Sequence, residues 1–164
     1  AQHYGGREVR VDAILTTHKH WDHQGGNERL ATDLAPVRVY GGVLDRVRAC
    51  TDPVREGDTV AVGGLLFEVV DSPGHTVGSV MYHLPGAQPV LFTGDTLFCG
   101  GCGAPMEGTL GDIHASFGRI WRLLSPHPRS LIFPGHEYTE VLLGSVMGDL
   151  PAVPSRASHY ARLA

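Results

Sequence analysis

The sequence of 164 residues lacks long apolar runs, and no stretch approaches the roughly 18 consecutive apolar residues needed to cross a bilayer. It also lacks runs of like charge, and its formal net charge of −4 argues against a nucleic-acid partner, which usually requires a basic face. The first ten residues are polar and contain no apolar signal core. We therefore expect an intracellular protein, cytoplasmic or mitochondrial, that binds neither membranes nor nucleic acids.

Cysteine is scarce, with three residues in the whole chain. An odd number in a chain of this length does not describe a disulfide framework. Cys99 and Cys102 form a C-x-x-C pattern, which also occurs in redox and zinc sites, but no second cysteine pair accompanies it. We interpret the pair as reduced thiols in a glycine-rich loop, and a redox or zinc site is the alternative.

Several common catalytic motifs are also absent. The sequence contains no G-x-S-x-G nucleophile elbow, no G-x-G-x-x-G dinucleotide fingerprint and no P-loop. A nucleophile must therefore come from another kind of site.

Short β-rich segments alternate with amphipathic helical segments and glycine-rich loops, which is typical of a layered α/β domain. The patterns predict strands at 13–17, 37–40, 59–62, 65–70, 77–84, 90–93 and 131–133, and helices at 27–34, 112–124 and 137–147. A chain of 164 residues is long enough for one hydrophobic core and too short for two ordinary domains. We therefore assign residues 1–150 to one domain and residues 151–164 to a loosely held tail.

Histidine is abundant, and five of the ten histidines lie in short motifs. The densest motif runs from Thr17 to His23. In an extended segment alternate residues point to the same side, so His18 and His20 can aim at one point. A following turn would carry Asp22 and His23 to a second point. Imidazole and carboxylate groups suit zinc, iron or manganese. A polar loop that happens to be rich in histidine is the alternative interpretation.

His75, Asp95 and His136 share one pattern, because each follows a glycine at the end of a predicted strand. Each signal is weak alone, since a histidine after Pro-Gly is more often an ordinary turn residue. Together they complete the first motif. We predict two neighbouring metal sites, with His18, His20 and His75 around one ion, Asp22, His23 and His136 around the other, and Asp95 bridging them.

Two neighbouring metal sites of this kind indicate a hydrolase. Two ions about 3.5–4 Å apart can clamp one hydroxide and polarise a carbonyl or phosphoryl group. A metal-bound water has a pKa of about 7, so the centre provides a nucleophile at neutral pH without serine or cysteine.

The T-H-x-H-x-D-H run, followed in order by Gly-His75, Gly-Asp95 and Gly-His136, resembles the metallo-β-lactamase superfamily. Finer features resemble its glyoxalase II (hydroxyacylglutathione hydrolase) branch. These features are the segment 17–27, the Gly-Cys-Gly at 101–103 with Glu-Gly at 107–108, and the segment 134–138. The resemblance covers the chain from about Ala13 to about Val146.

This resemblance implies a four-layer αββα sandwich and hydrolysis of glutathione thioesters of 2-hydroxy acids, such as S-lactoylglutathione. It also implies the cofactor, two divalent metal ions with zinc first and iron or manganese as alternatives, whose bridging hydroxide attacks the thioester. Asp22 and Asp95 become catalytic residues, and Tyr138 becomes the substrate-binding residue.

The chain departs from the family pattern in three places. The loop at 104–106 reads Ala-Pro-Met where family members carry a basic residue and a tyrosine that help bind glutathione. The tail after Met147 has no room for the C-terminal helical substrate domain, and the chain starts too late for two strands before Ala13. We expect truncation at both ends, an incomplete sheet, and metal binding that is better preserved than glutathione binding.

Other functions stay open at this point. A persulfide dioxygenase-like enzyme of the same superfamily would use a single iron held by His18, His75 and Asp95, but its characteristic arginine-containing loop is absent. A catalytically weak, truncated paralogue that acts as a binding protein is another alternative. The acidic balance disfavours a nuclease.

Overall fold

The computed structural model describes residues 2–4 and 7–149, and it describes side chains from residue 10 to residue 145. The strands are β1 Gln2–Tyr4, β2 Arg7–Val9, β3 Ala13–Leu15, β4 Arg38–Gly42, β5 Asp52–Val54, β6 Thr59–Val62, β7 Leu65–Asp71, β8 Val80–Leu84, β9 Val90–Gly94 and β10 Leu131–Pro134. The helices are α1 Trp21–Gln24, α2 Asn27–Asp33, α3 Leu110–Leu124 and α4 Thr139–Asp149. The predicted tail at 151–164 lies outside the described residues.

Two sheets form the scaffold. The larger has the order β10-β9-β8-β7-β6, with β10 parallel to β9 and the other neighbours antiparallel. The smaller has the order β3-β4-β5 and is parallel throughout. Buried side chains of both sheets pack in one cluster, where Tyr40 and Val54 of the smaller sheet meet Phe67, Val69 and Tyr82 of the larger. The alternation of side chains along each strand places these residues between the sheets.

Helices cover the outer faces. Residues of alternate register in the larger sheet, Val70, Met81 and Leu91, pack with Ile120 of α3. On the other side α2 lies against β4, and its buried Asn27 donates to Thr16 Oγ1 at 3.0 Å. The layers therefore follow the order helix, sheet, sheet, helix, which confirms the predicted αββα sandwich.

The segment before Ala13 contains two short strands, where we expected none. β1 and β2 pair antiparallel with Gln2 opposite Val9, and among the described residues they pair only with each other. Strands of three residues are too short to show a readable alternation of polar and apolar positions. Two glycines separate them in the sequence, a spacing typical of tight hairpins.

The ends of other elements differ from the predicted ends for identifiable physical reasons. The strand predicted at 77–84 begins only at Val80, because Thr76 and Ser79 hydrogen-bond through their side-chain oxygens and hold the preceding residues in a turn. α3 begins two residues early, because Thr109 and Asp112 form a reciprocal capping box. α1 and β5 were not predicted.

The carboxyl ends of β7, β9 and β10 lie at one edge of the larger sheet, because these three strands run in the same direction. The segments that follow them carry His75, Asp95 and His136. None of the helices in the described part of the chain is both long and apolar enough to cross a membrane.

Candidate metal centre

The first motif leaves the smaller sheet as an extended loop. His18 follows β3 in a fully buried position and is 1% exposed. The backbone of His20 is extended, with φ −64° and ψ 148°, and α1 then turns the chain. The loop therefore carries His18 and His20 before the turn, and Asp22 and His23 within it.

The side-chain amide of Gln24 closes this turn. Its nitrogen donates to the carbonyl oxygen of Lys19, and its oxygen accepts the backbone N–H of Arg48 at 2.5 Å. The amide thus ties the motif to the segment that follows β4. Sequence reasoning included Gln24 only in the motif at 17–27 and did not find its contact with Arg48, which is distant in sequence.

His18, His20 and His75 form the first trio. His18 Nε2 and His20 Nδ1 are 3.1 Å apart, and His20 Nδ1 and His75 Nε2 are 2.9 Å apart. The three ligand atoms all lie within 4.8 Å of one another. Tetrahedral zinc with Zn–N bonds of about 2.0–2.1 Å separates its nitrogen ligands by about 3.3 Å. The spacing of the trio suits a single ion.

A hydrogen bond on the opposite side of the His75 ring selects its tautomer. His75 Nδ1 lies 2.8 Å from the carbonyl oxygen of Ala104. Since a carbonyl oxygen can only accept, Nδ1 donates the hydrogen bond and Nε2 keeps its lone pair for the shared point. Outer contacts of this kind orient metal-binding histidines.

Asp22, His23 and His136 form the second trio, with their ligand atoms also within 4.8 Å of one another. The Nε2 atoms of His23 and His136 are 3.1 Å apart. Asp22 Oδ2 lies 3.2 Å from His136 Nε2 and 3.5 Å from His23 Nε2. The side chain of Asp22 is 34% exposed, so this trio is the more open of the two.

Asp95 lies between the trios. Its Oδ1 is 3.3 Å from His23 Nε2, and its Oδ2 is 3.4 Å from His75 Nε2 and 3.5 Å from His136 Nε2. Close packing places it there, because a Cβ on Gly135 would come within 2.8 Å of His23 Cε1 and would also strike Asp95 Oδ1. The carboxylate faces both trios, as its predicted bridging position requires.

The pKa values in the cluster reflect burial and the mutual contacts of its side chains. Burial, helped by the charge of His23, lowers the pKa of His18 to about 3, so this ring is neutral at physiological pH. Burial acts to raise the pKa of Asp95, but the close contact with His23 Nε2 and the charges of the neighbouring histidines outweigh it and lower the pKa. For His23, burial acts to lower the pKa, but Asp95 and Asp22 outweigh it and raise it.

The donor set therefore fits metal ions. Neutral imidazole nitrogens and carboxylate oxygens suit divalent transition metals. Asp95 Oδ1 is buried and has no hydrogen-bond partner, and a buried polar atom of that kind calls for a ligand. The seven side chains predicted from the sequence thus converge. They form three overlapping groups of donors that could hold an ion, namely the two trios and a third group of His18, His23 and Asp95.

Tyr138 lies beside the second trio. Its ring stacks on His136 with centroids 4.8 Å apart and planes 9° apart, and Phe98 meets it edge-on. The residue is 45% exposed, so one face of the ring remains available to a ligand. This position agrees with the predicted substrate contact, which stays a prediction.

The loop after Gly-Cys-Gly closes over the first trio. The backbone N–H of Gly103 donates to the carbonyl oxygen of Asp95 at 2.9 Å. Lys19 Nζ lies 2.8 Å from Glu107 Oε1, and Glu107 Oε2 accepts the backbone N–H of Val77. The hydrogen bond from Lys19 lowers the pKa of Glu107. The ammonium closest in sequence to the ligands is thus already paired.

Comparisons with known proteins place this geometry in a family. The family model for the metallo-beta-lactamase superfamily matches residues 5–136. The cytoplasmic hydroxyacylglutathione hydrolase of Arabidopsis thaliana is 40% identical over 136 residues, and the hydroxyacylglutathione hydrolase of Chromohalobacter salexigens is 40% identical over 151 residues. These alignments cover 80% and 92% of this chain but 52% and 58% of the relatives. The chain therefore spans little more than half the length of these curated relatives.

A solved structure also supports the placement of this chain in the family. The crystal structure of ETHE1 from Myxococcus xanthus superposes with a TM-score of 0.69 at 32% identity, and the match covers 80% of this chain and 56% of that one. The relatives confirm the resemblance to the glyoxalase II branch that the motifs indicated. Since the matched family region contains all seven converging side chains, the chain belongs to the metallo-β-lactamase superfamily.

Proposed function

We propose that this chain is a metal-dependent hydrolase of thioesters and that its substrates are small molecules of the hydroxyacylglutathione type, such as S-lactoylglutathione. The observation that carries the proposal is the convergence of seven imidazole and carboxylate side chains on one edge of the sandwich. The names of the two curated relatives support the substrate class. An intracellular location stays a prediction.

We assign two divalent ions to the centre, with zinc first and iron or manganese as alternatives. The ligand sets are His18, His20 and His75 for one ion, Asp22, His23 and His136 for the other, and Asp95 for both. Ions bound there would supply Lewis acidity, which lowers the pKa of a nearby water and polarises a thioester carbonyl.

The second trio favours two ions over one. A persulfide dioxygenase-like centre would need only His18, His75 and Asp95 around a single iron. That arrangement would leave Asp22, His23 and His136 without a role, although their ligand atoms lie within 4.8 Å of one another. The extra donors are therefore an argument for dinuclear hydrolysis.

Asp22 and Asp95 differ in their surroundings, and we assign them different tasks. Asp95 is buried and ionised, so it holds the two groups of histidines together electrostatically. Asp22 is more exposed and faces the open side of the second trio. From there its carboxylate would orient the attacking water and accept a proton from it.

The substrate contacts are sparse in the described part of the chain. Tyr138 offers a ring face and a phenol beside the second trio. The loop at 104–106 offers no cation, and Lys19 is paired with Glu107. We therefore propose that the acyl half of the thioester is recognised at the metal centre and that the glutathione half is held weakly.

Elemental analysis of the purified chain, paired with a thioester hydrolysis assay, tests the proposal. We expect two ions per chain and hydrolysis of S-lactoylglutathione that Asp95→Ala abolishes and added metal does not restore. Asp58→Ala, a carboxylate change in the turn before β6, should leave turnover unchanged. A folded protein with two ions that hydrolyses no thioester would overturn the proposal, and a single iron with oxygen uptake on glutathione persulfide would favour the dioxygenase.

A further inference from the structure

Asp45 is a buried carboxylate outside the predicted ligand sets, only 3% exposed. Its Oδ2 accepts the backbone N–H of Lys19 and the hydroxyl of Thr76, both at 2.8 Å. Its Oδ1 accepts the backbone N–H of Gly78 at 2.9 Å. Both oxygens are therefore engaged, and all three donors belong to the two segments that carry the first trio.

The positions of these donors are specific. Lys19 stands between His18 and His20, and Thr76 directly follows His75. One carboxylate thus binds the backbone between two of the histidines and the residue next to the third. A shift of either segment by about 1 Å would change the spacing of 2.9 Å between His20 Nδ1 and His75 Nε2. Ligand sites are sensitive to displacements of this size.

The backbone around Asp45 is packed to bring the carboxylate into reach. The turn after β4 is closed by the Asp45 N–H, which donates to the carbonyl oxygen of Gly42 at 3.0 Å. A Cβ on Gly78 would lie 2.5 Å from Asp45 Oδ1. A Cβ on Gly42 would strike the carbonyl oxygen of Gly78. Glycines at both positions therefore permit the close approach of the two segments.

We propose that Asp45 is a positioning residue that holds the two segments of the first trio in register for metal binding. It contacts no ligand atom of the trio, and it acts through the backbone of Lys19 and Gly78 and through the hydroxyl of Thr76. This inference rests on the proposed function, because it takes His18, His20 and His75 to hold an ion. It adds a residue that belongs to neither ligand set.

Asp45→Asn is the sharpest variant, because it keeps the shape of the side chain. Its amide oxygen can still accept the Gly78 N–H, but its amide NH₂ cannot accept the N–H of Lys19. The partly buried Lys19 N–H would then lose its acceptor. The Thr76 hydroxyl loses the same acceptor, but it can rotate to accept a hydrogen bond from the new amide, so the main loss should fall on the segment between His18 and His20.

Zinc titration of the metal-free protein by calorimetry, in two backgrounds, tests the assignment. His136→Ala leaves the first trio intact, and His75→Ala leaves the second trio intact. In the His136→Ala background, Asp45→Asn should weaken zinc binding by about 10- to 100-fold, the range typical of residues that support metal ligands. In the His75→Ala background it should change zinc binding less than 3-fold, on the order of an ordinary remote substitution.

Asp58→Asn is the matched control, because its carboxylate also accepts a backbone N–H, from Arg55 at 2.9 Å, but far along the chain from the trio. It should leave zinc binding unchanged in both backgrounds. If Asp45→Asn does not fold, Thr76→Val removes one of the three hydrogen bonds and should weaken the first site selectively, by a smaller factor.

Unchanged zinc binding in the His136→Ala background, or an equal loss in both backgrounds, would overturn the positioning role. Neither result bears on thioester hydrolysis. Conversely, a wild-type protein that binds zinc at both trios without hydrolysing thioesters would defeat the proposed function and leave the role of Asp45 standing.

Discussion

Gly103 stands so close to His75 that a Cβ at position 103 would lie 2.9 Å from His75 Nδ1. The same Cβ would strike the backbone carbonyl oxygen of Asp95. The residue after Gly103 provides the carbonyl group that fixes the His75 tautomer. A single glycine thus sets the distance between the loop at 101–104 and two of the residues expected to hold metal.

We expect Gly103→Ala to disrupt this contact. The added methyl group has no space, so either the loop or His75 must move, with an overpacking cost of about 1–3 kcal/mol in the free energy of unfolding. The displaced His75 should also lower the zinc content of the purified protein. Urea denaturation and elemental analysis measure the two effects.

Gly118→Ala is the control for this change. Gly118 lies within α3, and a Cβ there would meet no atom within 4 Å. We expect a gain of about 0.5–1 kcal/mol in the free energy of unfolding, because alanine is the better helix former. Full zinc content in Gly103→Ala would show that the contact is unimportant for the site.

The convergence of the histidine and aspartate side chains could be predicted because each lies in a recognisable local sequence pattern. His18 and His20 follow from alternation in an extended loop, and His75, Asp95 and His136 follow from glycines at strand ends. Parallel strand directions then bring the three later segments to one edge. The alternating pattern of strands and helices predicted only a layered α/β domain, and the four-layer αββα order was implied by the resemblance to the family.

The residues that hold the metal-binding segments in place could not be found from local sequence patterns. Asp45 lies 26 residues from Lys19 and 31 from Thr76 in sequence. No local pattern marks such a carboxylate, because its partners are backbone groups and hydroxyls brought near by the fold. The turn before Val80 was predicted as strand for a related reason. Val77 favours a strand locally, and the hydrogen bonds of Thr76, Ser79 and Asp45 override that preference.

Tyr138 provides a test of substrate binding. Tyr138→Phe keeps the stack on His136 and removes only the phenol hydroxyl. If that hydroxyl donates to the substrate, KM for S-lactoylglutathione should rise about 2- to 10-fold, the equivalent of one net hydrogen bond, with little change in kcat. Steady-state kinetics on zinc-loaded protein measures both constants.

Tyr138→Ala removes the ring as well. We expect a larger rise in KM, because the substrate then also loses the exposed ring face beside His136. Identical kinetics for wild type and both variants would exclude Tyr138 from the substrate site. A fall in kcat alone would instead place its effect on His136 and the second trio.

Asp71, the last residue of β7, gives the pH prediction. Burial raises the pKa of its carboxyl group, and the charge of Glu56 adds to the effect. An acid with a raised pKa in the folded state binds its proton more tightly there than in the unfolded chain. It therefore contributes stability below its ordinary pKa, and that contribution is lost as the pH rises through the raised value.

At pH 7 the Asp71 carboxyl group thus opposes folding, and Asp71→Asn should raise the free energy of unfolding. The advantage should shrink as the pH falls toward the ordinary carboxyl pKa of about 4, because the raised pKa favours the protonated carboxyl in the folded state. Asp112→Asn should instead lower the free energy of unfolding at pH 7, because hydrogen bonds from the Thr109 side chain and backbone lower the pKa of Asp112 and so favour its charged form in the fold. Urea denaturation of the metal-free wild type and of the two variants measures these free energies of unfolding. The measurements are made at about pH 7, 5.5 and 4, which span the titration of a carboxyl group. A loss of stability in Asp71→Asn at pH 7 would mean that the charged form is favoured in the fold, contrary to the burial argument.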